Sequence, residues 1–186
     1  NVNVIATPTR HLLPFRSADF ATLTEALDYA AKGDTGSNFY TGRGEIYASI
    51  TYRELRLQAI ELAHKLIGLG LTKGDRVALV AETNPEFIQF FYACQYAGLI
   101  PVAVPASVKV GAHSAYVAQL NQLLKASDAE IGVASEGYLP FLQEASEGLS
   151  MRMVGSPEAF NALPADLQPL HRAEPDDISY IQYTSG

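Results

Sequence analysis

The chain has 186 residues, 48% of them hydrophobic and 18% charged, a balance that excludes a fibrous or wholly disordered polymer and suffices for a packed core. Its net charge is −7 and its basic residues form no block. The densest stretch, residues 53–65, is diluted by Glu54 and Glu61, which argues against a nucleic-acid partner.

Residues 1–19 read as an extended lead-in, since the first fifteen hold Pro8 and Pro14 and show no periodicity. No charged-then-apolar leader opens the sequence, and no apolar stretch nears the ~20 residues that cross a bilayer, so no integral membrane segment is expected. Thr22 with Glu25 three residues on has the pattern of a capping box. Leu23, Ala26, Leu27 and Ala30 then recur at helical spacing, predicting an amphipathic helix that stops by Gly33. Residues 38–40 and 45–50 flank Thr41-Gly42-Arg43-Gly44, which predicts a small hairpin. Thr51 and Glu54 form a second capping box, and Leu55, Ala59, Leu62, Ala63 and Leu66 give the next helix an apolar face that Gly68 or Gly70 would end.

Short apolar runs then alternate with helical stretches. Strands are predicted at 76–81, 99–104, 130–134 and 151–154. Helices are predicted at 85–97, with Asn84 as cap, Pro85 at the first position and Gly98 as stop, at 114–127 and at 138–147. Cys94, the one cysteine, lies in the apolar run 87–94; it can form no internal disulfide and is expected as buried packing in a reducing, cytoplasmic setting. The stretch 156–174 holds three prolines and one possible helix, 157–163, and reads as a surface connector. A last strand is predicted at 176–183. The fold class is therefore α/β: a mostly parallel, doubly wound sheet with flanking helices, preceded by a helix and a small β-hairpin.

That last strand runs directly into Thr184-Ser185-Gly186. Hydroxyls and free backbone N–H groups at a sharp turn can all point at one anion, and glycine lets the backbone approach it closely. An ordinary Ser/Gly turn after a strand fits the same tripeptide. His64 falls on the second helix as a surface or half-buried residue, and His11, His113 and His171 fall in presumed loops with no partner pattern. Asp176 and Asp177, adjacent at the start of a strand, point to opposite faces and read as solvated. Tyr116, Tyr138 and Tyr183 read as packing aromatics. No metal-ligand spacing is visible.

Ile50-Thr51-Tyr52-Arg53-Glu54-Leu55 resembles the Leu-Thr/Ser-Tyr-x-Glu-Leu signature near the start of the acyl-adenylate-forming (AMP-binding) superfamily, which includes acyl-CoA synthetases, luciferases and peptide-synthetase adenylation domains. Gly74-Asp75-Arg76-Val77 is similar to that family's Gly-Asp-Arg-Val, and Tyr96-Ala97-Gly98 followed by 99–105 to its Lys-Ala-Gly-x-x-x-Val-Pro. Tyr180 to Gly186 resembles the opening of its Tyr-Thr-Ser-Gly phosphate loop. Within the superfamily, Gln182 before Tyr183, the Phe90 to Gly98 stretch and the long segment 107–119 look most like fatty acyl-AMP ligases.

The resemblance implies that residues 20–186 are the N-terminal, incomplete part of an adenylating domain. It implies a parent that uses ATP and Mg²⁺ to convert a fatty acid to acyl-adenylate and pyrophosphate, then passes the acyl group to the phosphopantetheine of an acyl carrier protein. Thr184, Ser185 and Gly186 would contact the ATP phosphates. No catalytic residue or metal ligand is carried onto this chain, and the remainder of the adenylating enzyme is its expected partner, without which apolar faces would stay exposed. An acyl- or aryl-CoA synthetase, an amino-acid adenylation domain, and a non-catalytic nucleotide-binding or interaction module are the alternatives.

Overall fold

The computed structural model describes residues 12–106 and 109–183. Residues 1–11, 107–108 and 184–186 lie outside the described residues, and with them most of the lead-in, His11, the start of the 107–119 segment and the Thr184-Ser185-Gly186 tripeptide.

Helix α1 (Leu23–Ala30) starts where Thr22 Oγ1 accepts the Glu25 N–H at 3.3 Å. The Glu25 carboxylate reaches back to the N–H of Ala21 at 3.1 Å, one residue earlier than a closed capping box requires. Helix α2 (Tyr52–Gly68) has the complete box: Thr51 Oγ1 accepts from Glu54 N–H at 3.1 Å while the Glu54 carboxylate accepts from Thr51 N–H at 2.9 Å. Between them, β1 (Gly36–Tyr40) and β2 (Ile46–Thr51) pair antiparallel as the expected hairpin.

The remaining elements are β3 (Arg76–Val80), α3 (Pro85–Ala97), β4 (Ile100–Val104), α4 (His113–Ser127), β5 (Ala129–Val133), α5 (Leu139–Ser146), β6 (Met153–Gly155), α6 (Pro157–Asn161) and β7 (Ile181–Gln182). The strands form one parallel sheet in the order β6-β5-β3-β4-β7. Successive residues of β3 point to opposite faces. Val77 and Leu79 join a core with Leu62 of α2, Phe90 of α3 and Phe160 of α6. Ala78 and Val80 join a second core with Leu120 of α4 and Leu142 of α5. Helices thus cover both faces, and the sheet is doubly wound as the alternating pattern requires.

The Gly-Asp-Arg sequence does scaffold work. Asp75 carboxylate accepts the Thr72 N–H at 2.8 Å and Gly74 turns with φ +89°. The Arg76 guanidinium donates to the carbonyls of Ser127, at 2.8 Å, and Asp128, at 2.9 Å, closing the C-terminus of α4.

Two expectations are corrected. The strand predicted at 176–183 shrinks to Ile181–Gln182, because the Asp177 carboxylate accepts the Glu174 N–H at 2.8 Å and ion-pairs with Lys73 at 3.0 Å, folding the preceding residues into a turn. Asp177 is therefore engaged and not a freely solvated residue at the start of a strand. His113 does not sit in a loop without a partner; it opens α4, its Nε2 lies 2.6 Å from Glu144 Oε2 on α5, and its ring packs 4.8 Å from that of Phe141.

Cys94 is fully buried, and burial pushes its thiol far up from the usual range. An aromatic disulfide reagent is expected to leave Cys94 untouched in the native protein and to label it in urea. Labelling of the native protein at the rate of a free thiol would show that α3 opens readily.

Candidate functional site

All five parallel strands end on the same side of the sheet. There the chain leaves β3 toward one face, through α3, and leaves β4 and β5 toward the other, through α4 and α5. Such a divergence at carboxyl ends is where open α/β sheets bind ligands.

The β3/β5 part of this edge is tied shut. Glu82, just past β3, accepts from the Ser135 hydroxyl at 2.6 Å and the Ser135 N–H at 3.2 Å. The recess beside them, lined by Asn84, Phe87, Val133 and Pro157 among others, has a volume of about 20 Å³, room for one water and no nucleotide. Asn84 is committed to capping α3, its side-chain oxygen accepting the Phe87 N–H at 2.9 Å.

The β4/β7 part is different. Tyr183 N–H donates to Ala103 O at 3.4 Å, which seats the residue before Thr184 beside the end of β4. The segment leaving β4 is held by two phenols: Tyr116 donates to Pro105 O, and Tyr138 donates to Ala106 O at 2.9 Å. Burial pushes the Tyr116 hydroxyl up to about 12, so it stays a donor at neutral pH. Tyr116, Tyr138 and Tyr183 do pack against the α4/α5 core, and two of them also position backbone at the sheet's carboxyl edge. Thr184, Ser185 and Gly186 follow, outside the described residues.

The other candidates are scaffold. His64 Nδ1 lies 2.7 Å from Asp166 O, and the His171 carbonyl oxygen lies close against Gly98, where only a residue without a Cβ fits. Among the described residues no group of three His, Cys, Asp or Glu is arranged to hold a metal ion. No described helix is long and apolar enough to cross a membrane.

Two polar residues were invisible to local pattern. Asp28 of α1 accepts from Arg56 Nε, Tyr96 OH and Arg172 Nη1, each at 2.7 Å, joining α1, α2, α3 and the 162–180 connector. Gln95, only 2% exposed among the buried residues 93–97 of α3, donates its amide to Ser179 O. A buried glutamine in an apolar run is itself a signal that a distant partner exists.

Comparison with known proteins agrees with this geometry. The family model described as AMP-binding enzyme matches residues 27–186. A putative acyl-CoA synthetase from Caulobacter vibrioides is 38% identical over 98% of this chain and 32% of its own length. A 2-succinylbenzoate–CoA ligase from Oceanobacillus iheyensis is 32% identical over 75% of this chain and 27% of its own. Among solved structures, one from a study of fatty acyl-adenylate ligases from E. coli and L. pneumophila superposes with a TM-score of 0.87 and 41% identity, covering 93% of this chain and 31% of that one. The chain thus spans about a third of the length of these relatives. With a matching family model over most of its length and the expected sheet beneath it, the chain belongs to the AMP-binding, acyl-adenylate-forming enzyme family.

Proposed function

We propose that residues 20–186 are the N-terminal part of the adenylating domain of a fatty acyl-AMP ligase found in the cytoplasm. Its substrates are a fatty acid and ATP; its acyl acceptor is the phosphopantetheine thiol of an acyl carrier protein. The observation that carries this is the seat of Tyr183 against Ala103 at the carboxyl edge of the sheet, immediately before Thr184-Ser185-Gly186, in a chain 41% identical to a structure from a study of fatty acyl-adenylate ligases.

A carboxylate oxygen attacks the α-phosphorus of ATP, the bond from that phosphorus to the pyrophosphate oxygen breaks, and acyl-adenylate and pyrophosphate leave. The hydroxyls of Thr184 and Ser185 and the N–H of Gly186 donate to the phosphate oxygens as charge moves onto the departing group. Mg²⁺ supplies charge neutralisation on those oxygens. Among the described residues no group of three His, Cys, Asp or Glu is arranged to hold it. Tyr116 and Tyr138 orient the segment after β4, on the flank of the same edge.

The direct test is fatty-acid-dependent exchange of labelled pyrophosphate into ATP by the full-length enzyme. Thr184→Ala or Ser185→Ala is expected to lower kcat/KM for ATP about tenfold to a hundredfold, the range for losing a charge-assisted donor. Exchange that ignores every fatty acid from C8 to C18 sinks the branch, and unaltered ATP kinetics in both variants sink the loop assignment. The 38% identity to a putative acyl-CoA synthetase favours CoA as a second candidate acceptor. Product analysis with CoA against a carrier protein separates the two.

A further inference from the structure

Strand β7 is too short to choose its own register. It makes two pairs with β4, Val102 with Ile181 and Ala103 with Gln182, and a slip of one residue would exchange the faces of every side chain that follows. Something upstream must hold it. The connector over 162–180 is pinned mainly to α3: Ala173 N–H donates to Gln95 O at 2.9 Å, the Tyr180 ring lies 5.7 Å from Phe91, and the Gln95 side-chain amide donates to Ser179 O. The ion pairs of Lys73 with Glu174 and Asp177 are exposed and screened by salt, so they hold the turn weakly.

Of these contacts, the Gln95 amide makes the hydrogen bond nearest the strand, two residues before Ile181, and comes from a buried side chain in the buried C-terminal half of α3. Its reach is set by a rigid element, so it defines a fixed distance at which Ser179 must stop.

We propose that Gln95 is a positioning residue that sets the register of β7 on β4, with the seat of Tyr183, and thereby tunes nucleotide binding. The second half of this statement rests on the phosphate-loop reading above; the first half does not.

The test is made in the full-length enzyme. Gln95→Met keeps length and packing but removes the donor, and Gln95→Asn keeps the amide but cannot span the same distance. In both, deuterium exchange of the peptide covering 178–183 is expected to speed up about tenfold, the size of one lost neutral hydrogen bond, while peptides from α2 and β3 keep their wild-type protection. KM for ATP is expected to rise about tenfold with a smaller change in kcat. Unaltered exchange at 178–183, or acceleration shared equally by α2 and β3, would overturn the register assignment. Faster exchange with an unchanged KM for ATP would overturn its link to nucleotide binding. A wild-type enzyme without fatty-acid-dependent pyrophosphate exchange would instead refute the functional reading, leaving the exchange data to decide the role of Gln95.

Discussion

Gly98→Ala is expected to destabilise the fold by about 3 kcal/mol or more, a loss of the size reserved for changes with a named steric cause. Gly98 ends α3 in the left-handed region, at φ +69° and ψ 21°, where an alanine costs roughly 1 kcal/mol. The larger part comes from a collision. A Cβ on Gly98 would stand 2.2 Å from the carbonyl oxygen of His171, a backbone atom that no rotamer change can move aside. The connector would have to lift, loosening the Ala173 to Gln95 bond and the Arg172 to Asp28 pair. Gly74→Ala is the control, since Gly74 has φ +89° but nothing within 4 Å of the added carbon, so only the roughly 1 kcal/mol conformational cost applies. Urea midpoints read on the exchange protection of β3 and β4 amides compare the two; equal losses would show that the His171 contact is not what demands glycine.

Asp28→Asn is expected to cost about 2 kcal/mol at neutral pH. Burial pushes the Asp28 carboxyl up, but the hydrogen bonds from Tyr96, Arg56 and Arg172 outweigh it and hold the group below the ordinary aspartate range. Burial, together with the hydrogen bond to Asp28, pushes the Tyr96 phenol well up, so it remains a donor. At 27% side-chain exposure the carboxylate is partly hydrated, which keeps the figure under the 3–5 kcal/mol of a fully buried pair. The folded-state pKa is depressed, so this stability is complete above the unfolded value near 4 and is lost as pH falls through the lower folded value. The gap between wild type and Asp28→Asn should accordingly stay constant from pH 8 to 5 and narrow only in stronger acid. A gap that closes near pH 6 would mean that some group other than Asp28 carries the linkage.

Much of the scaffold can be read locally because its causes are local. Thr51 and Glu54 lie three residues apart and satisfy each other's backbone N–H groups, so the start of α2 is legible without any tertiary knowledge. Asn84, Pro85 and Gly98 delimit α3 for the same reason. The family signatures at 50–55, 74–77 and 96–105 are legible too, and the structure shows them holding turns, caps and strand ends. What the sequence did not show mostly has remote partners: His113 meets Glu144 at 31 residues' separation, and Arg172 meets Asp28 at 144. The shortened last strand instead owes its turn both to Asp177 bonding Glu174 three residues back and to the distant Lys73.

At the candidate site the division is the same. Sequence order alone determined that a strand leads into Thr184-Ser185-Gly186 and that apolar runs alternating with amphipathic helices build a parallel, doubly wound sheet, because periodicity and capping act within a few residues. Tertiary structure alone decided that this strand is only Ile181–Gln182, that it lies beside β4, and that Gln95, Gly98 and Asp28 hold the connector that delivers it. The physical reason is range: a hydrogen bond or a steric stop between residues tens to more than a hundred positions apart leaves no period in the chain, and exists only once the helices have packed.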